Sequence, residues 1–184
     1  KLRNLPKKVN FDICTFCNHK CTFCSNPDKR TIKNIVKKED FIKVMDNISK
    51  YLQIEELGLS AKGEVLINKD IKDIIKVCKD VYNIPYVYIS SNGALLTKEL
   101  AVDILEAGLN SIKFSINGVE REEYNVTHLK DDFEIVIENL KYLIELKKIK
   151  YPKLKILISC INNNDERIIL SEFEKIFKDD FKYI

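Results

Sequence analysis

The sequence contains no apolar run approaching the length of a membrane span, and no apolar stretch near its start that could act as a secretory signal. Membrane-spanning and exported classes therefore lose support, and the cytoplasm is the expected location. No Gly-rich nucleotide fingerprint follows the first predicted strand and there is no P-loop, which removes support from the two commonest doubly wound families. Linkers and low-complexity segments are missing too. Charge of one sign is not in excess: 31 basic against 28 acidic side chains leave a net +3, with the lysines scattered. That balance reads as a solvated surface and gives no reason to expect a nucleic-acid partner. What remains is a chain of 184 residues, 45% hydrophobic and 32% charged, enough for one domain (1–184) with a real core and inconsistent with disorder. It begins with Lys1 rather than Met and stops abruptly at Ile184, so a longer protein is expected.

Short apolar strands alternate with amphipathic helices. Strands are predicted over 9–13, 56–60, 86–90, 111–116 and 154–161, with 181–184 opening a sixth. Helical spacing is expected near 39–52, with Phe41, Val44, Met45, Ile48 and Leu52 on one face. A second helix near 69–82 would bury Ile71, Ile74, Ile75, Cys78 and Val81. A third is bracketed by Thr97 as N-cap and Gly108 as stop, with Ala101, Ile104 and Leu105 inward. The fourth, about 132–148, turns Phe133, Val136, Ile137, Leu140 and Ile144 inward, and the last, near 165–178, uses Ile168, Ile169, Phe173, Ile176 and Phe177. Strand–helix repetition without hairpin signals implies parallel strands joined by right-handed crossovers. An open doubly wound sheet and a barrel both satisfy it.

Four of the six cysteines fall within Cys14–Cys24, while Cys78 and Cys160 stand alone. A disulfide scaffold spreads its cysteines; a tight cluster points to metal. Cys17, Cys21 and Cys24 have the spacing C-x3-C-x2-C. Three thiolates on one loop can hold three corners of a [4Fe–4S] cubane and leave one iron open, as catalysis requires. The pairs Cys14–Cys17 and Cys21–Cys24 also form two C-x2-C units, a zinc-like pattern. Zinc sites of that kind usually place a dozen or more residues between the pairs, and only three intervene here. Cys14, at a strand end, is expected to be a buried bystander, and Cys78 to be core. His19 is expected to face solvent, as is His128. Lys20 and Lys62 could offset the charge of the thiolates.

The loop resembles the signature of the radical S-adenosylmethionine superfamily, C-x3-C-x-aromatic-C, which Cys17, Cys21, Phe23 and Cys24 match in full. Further pieces resemble the subgroup whose members often carry a SPASM or twitch auxiliary-cluster domain: Ala61-Lys62-Gly63-Glu64, Ser91-Asn92-Gly93 and Ser115-Ile116-Asn117-Gly118-Val119. The resemblance implies an α/β fold, a partial (β/α)6 parallel barrel, here incomplete near its sixth strand, with the site at the C-terminal ends of the strands. All the motifs follow strands, where barrel enzymes place their chemistry.

The resemblance also implies a [4Fe–4S] cluster that cleaves S-adenosylmethionine reductively and releases a 5′-deoxyadenosyl radical, with an electron donor such as flavodoxin or ferredoxin. The substrate implied is a peptide or a sugar-like small molecule. By likeness, backbone near Gly63 and Glu64 meets the methionine amino group. Ser115 and Ser91 bond the ribose or carboxylate, Phe23 lies against the adenine, and backbone near Ile161 flanks the base. The chain departs from the pattern at Ala61, Lys62 and Asn117, the last standing where aspartate is frequent. His128 aligns with a carboxylate-binding arginine, and a histidine is cationic only part of the time near neutral pH. A reading from another class remains: a non-catalytic iron–sulfur or zinc module for electron transfer or assembly.

Overall fold

A computed structural model describes residues 5–24, 34–60, 62–161 and 166–184. Ala61 and residue 165, at the start of the last predicted helix, lie outside the described residues. Five strands form one sheet: β1 (Lys8–Asn10), β2 (Glu56–Gly58), β3 (Tyr86–Ser91), β4 (Ser111–Ser115) and β5 (Lys155–Ser159). They lie side by side in sequence order and every neighbouring pair is parallel.

The two faces of the sheet differ, and that difference decides between the two architectures. Leu57, Val87, Ile89, Ile112, Phe114 and Ile156 are buried in the core. The alternate residues Lys8, Asn10, Glu56, Tyr86, Tyr88, Lys113, Lys155 and Leu157 line a cleft of about 820 Å³ on the other face. In a doubly wound sheet helices cover both faces and strands read as continuous apolar runs. Here the hydrophobic set occupies every second position, as in a barrel wall whose polar side faces a lumen. The fold is α/β, a partial barrel with five parallel strands and six α-helices among the described residues.

The helices are α1 (Lys38–Ile48), α2 (Ile71–Asp80), α3 (Lys98–Glu106), α4 (Arg121–His128), α5 (Phe133–Ile149) and α6 (Glu166–Phe177). Most predicted core faces are buried: Phe41 and Met45 of α1, Ile71, Ile74, Ile75 and Cys78 of α2, Ala101, Ile104 and Leu105 of α3. The same holds for Phe133, Val136, Ile137, Leu140 and Ile144 of α5, and for Phe173 and Phe177 of α6. Val44, Val81 and Ile168, predicted inward, are exposed. Each stands at the rim of its apolar stripe or just past the helix end. At α3 the Thr97 hydroxyl accepts the Leu100 N–H at 3.2 Å, and Gly108 follows the helix at φ +100°, a conformation that favours glycine.

Two predicted features differ. Residues 181–184 do not open a sixth strand: Lys178–Tyr183 form a 3-10 helix. The alternation of Phe181 and Tyr183 with polar residues suits either structure over so short a run. Lys147 bonds the Tyr183 carbonyl, Lys148 pairs with Asp180, and Phe181 and Tyr183 pack against the core, which holds the segment beside α5. Conversely, α4 carries no apolar periodicity, because Tyr124 is its one buried hydrophobic side chain. It is built by polar contacts instead. Glu123 accepts the Val119 N–H at 3.0 Å, and Arg121 pairs with Asp131 at 2.9 and 2.7 Å.

Candidate active site

The cysteine loop leaves the C-terminal end of β1 and is tied down at several points. Phe11 N–H continues the β1–β2 ladder to Gly58 O, and Asn68 Nδ2 bonds the carbonyls of Ile13 and Val36 at 3.0 and 2.9 Å. Farther on, Thr22 N–H donates to Thr127 O at 2.9 Å and Lys20 N–H to His128 O at 3.4 Å. These carbonyls belong to the last turn of α4, where a helix has no partners of its own, and the cysteine loop supplies them. Leu129 ends α4 in the left-handed region at φ 50°.

Gly63, after β2, presses directly on the base of this loop. A Cβ at this position would lie 2.3 Å from Cys14 O and 2.4 Å from Phe16 O, so only glycine permits the approach. The next residue, Glu64, gives its N–H to Phe16 O at 2.6 Å and buries its carboxylate. That carboxylate accepts Leu66 N–H at 3.0 Å, the Ser91 hydroxyl at 2.7 Å and Asn92 N–H at 2.8 Å. Burial pushes the Glu64 carboxyl above its ordinary range, and these three donors pull the other way. Asn92 in turn bonds Asn18 Oδ1 at 2.8 Å through Nδ2, with Cys17 Sγ 4.0 Å away. The loops after β1, β2 and β3 are thus one hydrogen-bonded unit.

A second unit surrounds Cys21. His19 and His128, both expected at the surface, are buried, 6% and 1% exposed. The physical reason is α4, which turns His128 inward, stacked on Tyr124 at 4.0 Å between ring centroids. His128 Nε2 accepts the Asn117 backbone N–H at 3.1 Å, with Asn117 Nδ2 at 3.2 Å. Its Nδ1 lies 3.1 Å from His19 Nδ1 and 3.5 Å from Cys21 Sγ. His19 Nε2 meets Asp132 Oδ2 at 3.0 Å, and the Tyr124 hydroxyl donates to Asp132 Oδ1 at 3.0 Å. Burial holds both imidazoles below the usual histidine range, His128 at about 4.

Cys17, Cys21, Phe23, Cys24, Gly63, Glu64, Ser91, Ser115, Asn117 and His128 all line one cleft of about 180 Å³ at the C-terminal edge of the sheet. Sequence motifs separated by up to about a hundred positions therefore meet at one place. Phe23 is 38% exposed, its ring edge-on to His128 at 6.1 Å. Ile161 stands outside the cleft lining with its side chain 64% exposed, and its N–H reaches Asn117 Oδ1 at 2.7 Å. Asn92, Lys62, Ser60 and Ser90 also line the cleft without having been singled out as ligands. Asn92 lay within the quoted Ser-Asn-Gly turn, which was the only signal for it.

The donor set fits a cluster with one open iron. Three thiols open on the cleft, whereas Cys14 is buried, donates to Phe16 O at 3.7 Å and is absent from the lining. Burial pushes the Cys21 thiol up to about 12, so ligation would displace a proton that the protein alone retains.

Fold and cleft together define a partial parallel barrel with a thiol-lined site at the C-terminal ends of its strands. The family model described as the Radical SAM superfamily matches residues 12–171, and the chain belongs to that superfamily. Membership implies a [4Fe–4S] cluster and S-adenosylmethionine as cofactors. Among curated relatives, the GTP 3′,8-cyclase of Chlorobaculum tepidum is 24% identical over 160 residues, 85% of this chain and 47% of the relative. The probable GTP 3′,8-cyclase of Saccharolobus islandicus is 31% identical over 130 residues, 71% of this chain and 41% of the relative. The chain spans about half the length, or less, of these relatives. Among solved structures, SuiB of Streptococcus suis bound to S-adenosylmethionine superposes with a TM-score of 0.76 at 15% identity. That match covers 96% of this chain and 39% of SuiB. BtrN in complex with AdoMet and 2-DOIA gives 0.63 at 18% identity, covering 84% and 57%. Both share the fold.

Proposed function

We propose that Cys17, Cys21 and Cys24 hold a [4Fe–4S] cluster with one iron left for S-adenosylmethionine, and that the chain abstracts a hydrogen atom from a small anionic substrate. The observation that carries this reading is the convergence of three thiols, Gly63, Ser115 and Asn117 on one cleft, with the fourth nearby cysteine turned away. The bound cluster and S-adenosylmethionine supply reductive sulfonium cleavage and the hydrogen abstraction that follows. The chain's own residues position and shield. Gly63 lets the β2 loop approach the cysteine loop, so its backbone can meet the methionine amino group. Ser91 already donates its hydroxyl hydrogen bond to Glu64, which leaves Ser115 as the better ribose or carboxylate contact. Phe23 lines the cleft, where its ring would shield a bound cofactor from water.

The larger cleft, which shares Ser60 and Ser90 with the site, carries Lys8, Lys113 and Lys155 with Tyr86 and Tyr88, and also Glu55 and Glu56, the latter paired with Lys8 at 3.1 Å. Lys113 and Lys155, the second lying over the Tyr86 ring at 5.2 Å, supply ammonium groups beside aromatic rings, which suits a phosphorylated heterocycle. The curated relatives, named as GTP 3′,8-cyclases, point the same way, and a purine nucleoside triphosphate is the first candidate. The SPASM-type, peptide-modifying reading rests on the motifs after β2, β3 and β4 and on fold likeness to SuiB, and has less support. An external one-electron donor of the flavodoxin or ferredoxin kind completes the proposal.

The test is anaerobic reconstitution of the full-length gene product with iron and sulfide, followed by reduction and assay for 5′-deoxyadenosine. Production is expected, rising with GTP, and GTP deuterated on the ribose should pass deuterium into the product. Metal binding without 5′-deoxyadenosine would favour the electron-transfer or assembly module.

A further inference from the structure

His19 and His128, which form a cluster with the ligand Cys21, are the part of the site that the proposed function leaves without a role. Their ligand atoms all lie within 4.8 Å of one another, which resembles a small metal face. The hydrogen bonds argue otherwise. A backbone N–H can only donate, so the Asn117 N–H at 3.1 Å makes His128 Nε2 an acceptor and places the ring proton on Nδ1. A protonated Nδ1 cannot ligate a metal, but it can donate. It faces His19 Nδ1 at 3.1 Å and Cys21 Sγ at 3.5 Å. His19 must then accept at Nδ1 and carry its proton on Nε2, where Asp132 Oδ2 takes it at 3.0 Å. The Tyr124 hydroxyl fills Asp132 Oδ1. Every proton in this buried chain has one place, and the direction of each bond follows from Asn117.

We propose that His128 is a positioning residue for the cluster: its Nδ1–H, shared between His19 and Cys21 Sγ, hydrogen-bonds the ligand sulfur and raises the reduction potential of the iron–sulfur centre. The proposal rests on Cys21 being a cluster ligand. A donor at a ligating sulfur withdraws electron density from the iron and stabilises the reduced state, one of the recognised levers on such potentials. Asn117, Asp132 and Tyr124 act through His128 by fixing its tautomer and ring plane. The resemblance to the superfamily implies a carboxylate-binding arginine at this position; a neutral, tautomer-locked imidazole is a different device.

The experiment is a redox titration of the reconstituted holoprotein, followed by electron paramagnetic resonance. His128→Phe keeps a ring to stack on Tyr124 and removes the donor. At a fixed potential near the parent midpoint its oxidised-to-reduced ratio should rise about tenfold, equivalent to a fall of about 59 mV for a one-electron couple. His128→Asn restores an amide N–H near the place of Nδ1 and should stay within about threefold of the parent. A His128→Phe protein that titrates with the parent overturns the proposal. Should that variant hold no cluster, the parent decides. His19 and His128 are the two histidines of residues 1–184, so ring-15N histidine in that 184-residue chain reports on this pair alone. Pulsed resonance on the reduced cluster should show a 15N coupling that survives His19→Gln, and no coupling in the parent overturns the proposal. Failure of the underlying reading looks different, since the parent would then bind no [4Fe–4S] cluster at all.

Discussion

The Ser91 hydroxyl donates to the buried carboxylate of Glu64 at 2.7 Å, joining the loop after β3 to the loop after β2. Because Glu64 N–H also reaches Phe16 O, this one acid couples the ends of β2 and β3 to the cysteine loop after β1. Substituting Glu64→Gln puts an amide N–H against one of three donors. The expected loss is on the order of 2 kcal/mol, seen as a lower unfolding midpoint in thermal denaturation together with reduced iron content. Ser91→Ala, which removes one of the three donors, should cost less.

Gly63→Ala tests the contact between the β2 loop and the cysteine loop. Its Cβ would fall 2.3 Å from Cys14 O, against backbone that cannot swing aside. A penalty on the order of 2 kcal/mol or more is expected, from displacement of the loop. Iron per chain after reconstitution should drop well below the parent, with the strand core, read by far-ultraviolet circular dichroism, retained.

The buried histidines predict an acid-labile fold. Their pKa values are lowered by burial, His128 from 6.5 to about 4, so below pH 6.5 the unfolded chain binds more protons than the folded one. Their contribution is fully present above pH 6.5 and is lost as pH falls toward 4. For His128 alone this is on the order of 3 kcal/mol. Urea unfolding at pH 7 and pH 4.5 should show the loss, and His128→Phe should flatten the slope between them.

Cys14 and Cys17 make a contrasting pair. Cys14→Ala removes a buried thiol that bonds Phe16 O, and should cost about 1 kcal/mol while the cubane absorbance stays. Cys17→Ala should abolish that absorbance. Equal loss in both would restore a four-cysteine site.

How much of this was legible beforehand follows from where each signal resides. The parallel strands, the inward faces of α2, α3 and α5, and the gathering of Cys17, Gly63, Ser91 and Ser115 at one edge were carried by periodicity and by motifs placed after strands. The choice of a barrel wall over a doubly wound sheet needed Tyr86, Tyr88, Lys113 and Lys155 seen together on one face. The fate of 181–184 depended on Lys147 and Lys148 of α5, which no local pattern could announce. The histidine chain was hidden for the same reason. His19 and His128 are 109 positions apart, and the helix that joins them is polar, with a single buried aromatic. Side chains that look solvated in sequence were buried by partners contributed from elsewhere.

The central claim is an iron with no protein ligand, open to S-adenosylmethionine. Its most direct test is the electron paramagnetic resonance spectrum of the reduced [4Fe–4S] holoprotein before and after adding S-adenosylmethionine. A change in the g-values on addition is expected, because the cofactor's amino and carboxylate groups would enter the coordination sphere of that iron. An unchanged spectrum, or reconstituted protein that holds zinc instead of a cubane, would contradict the account.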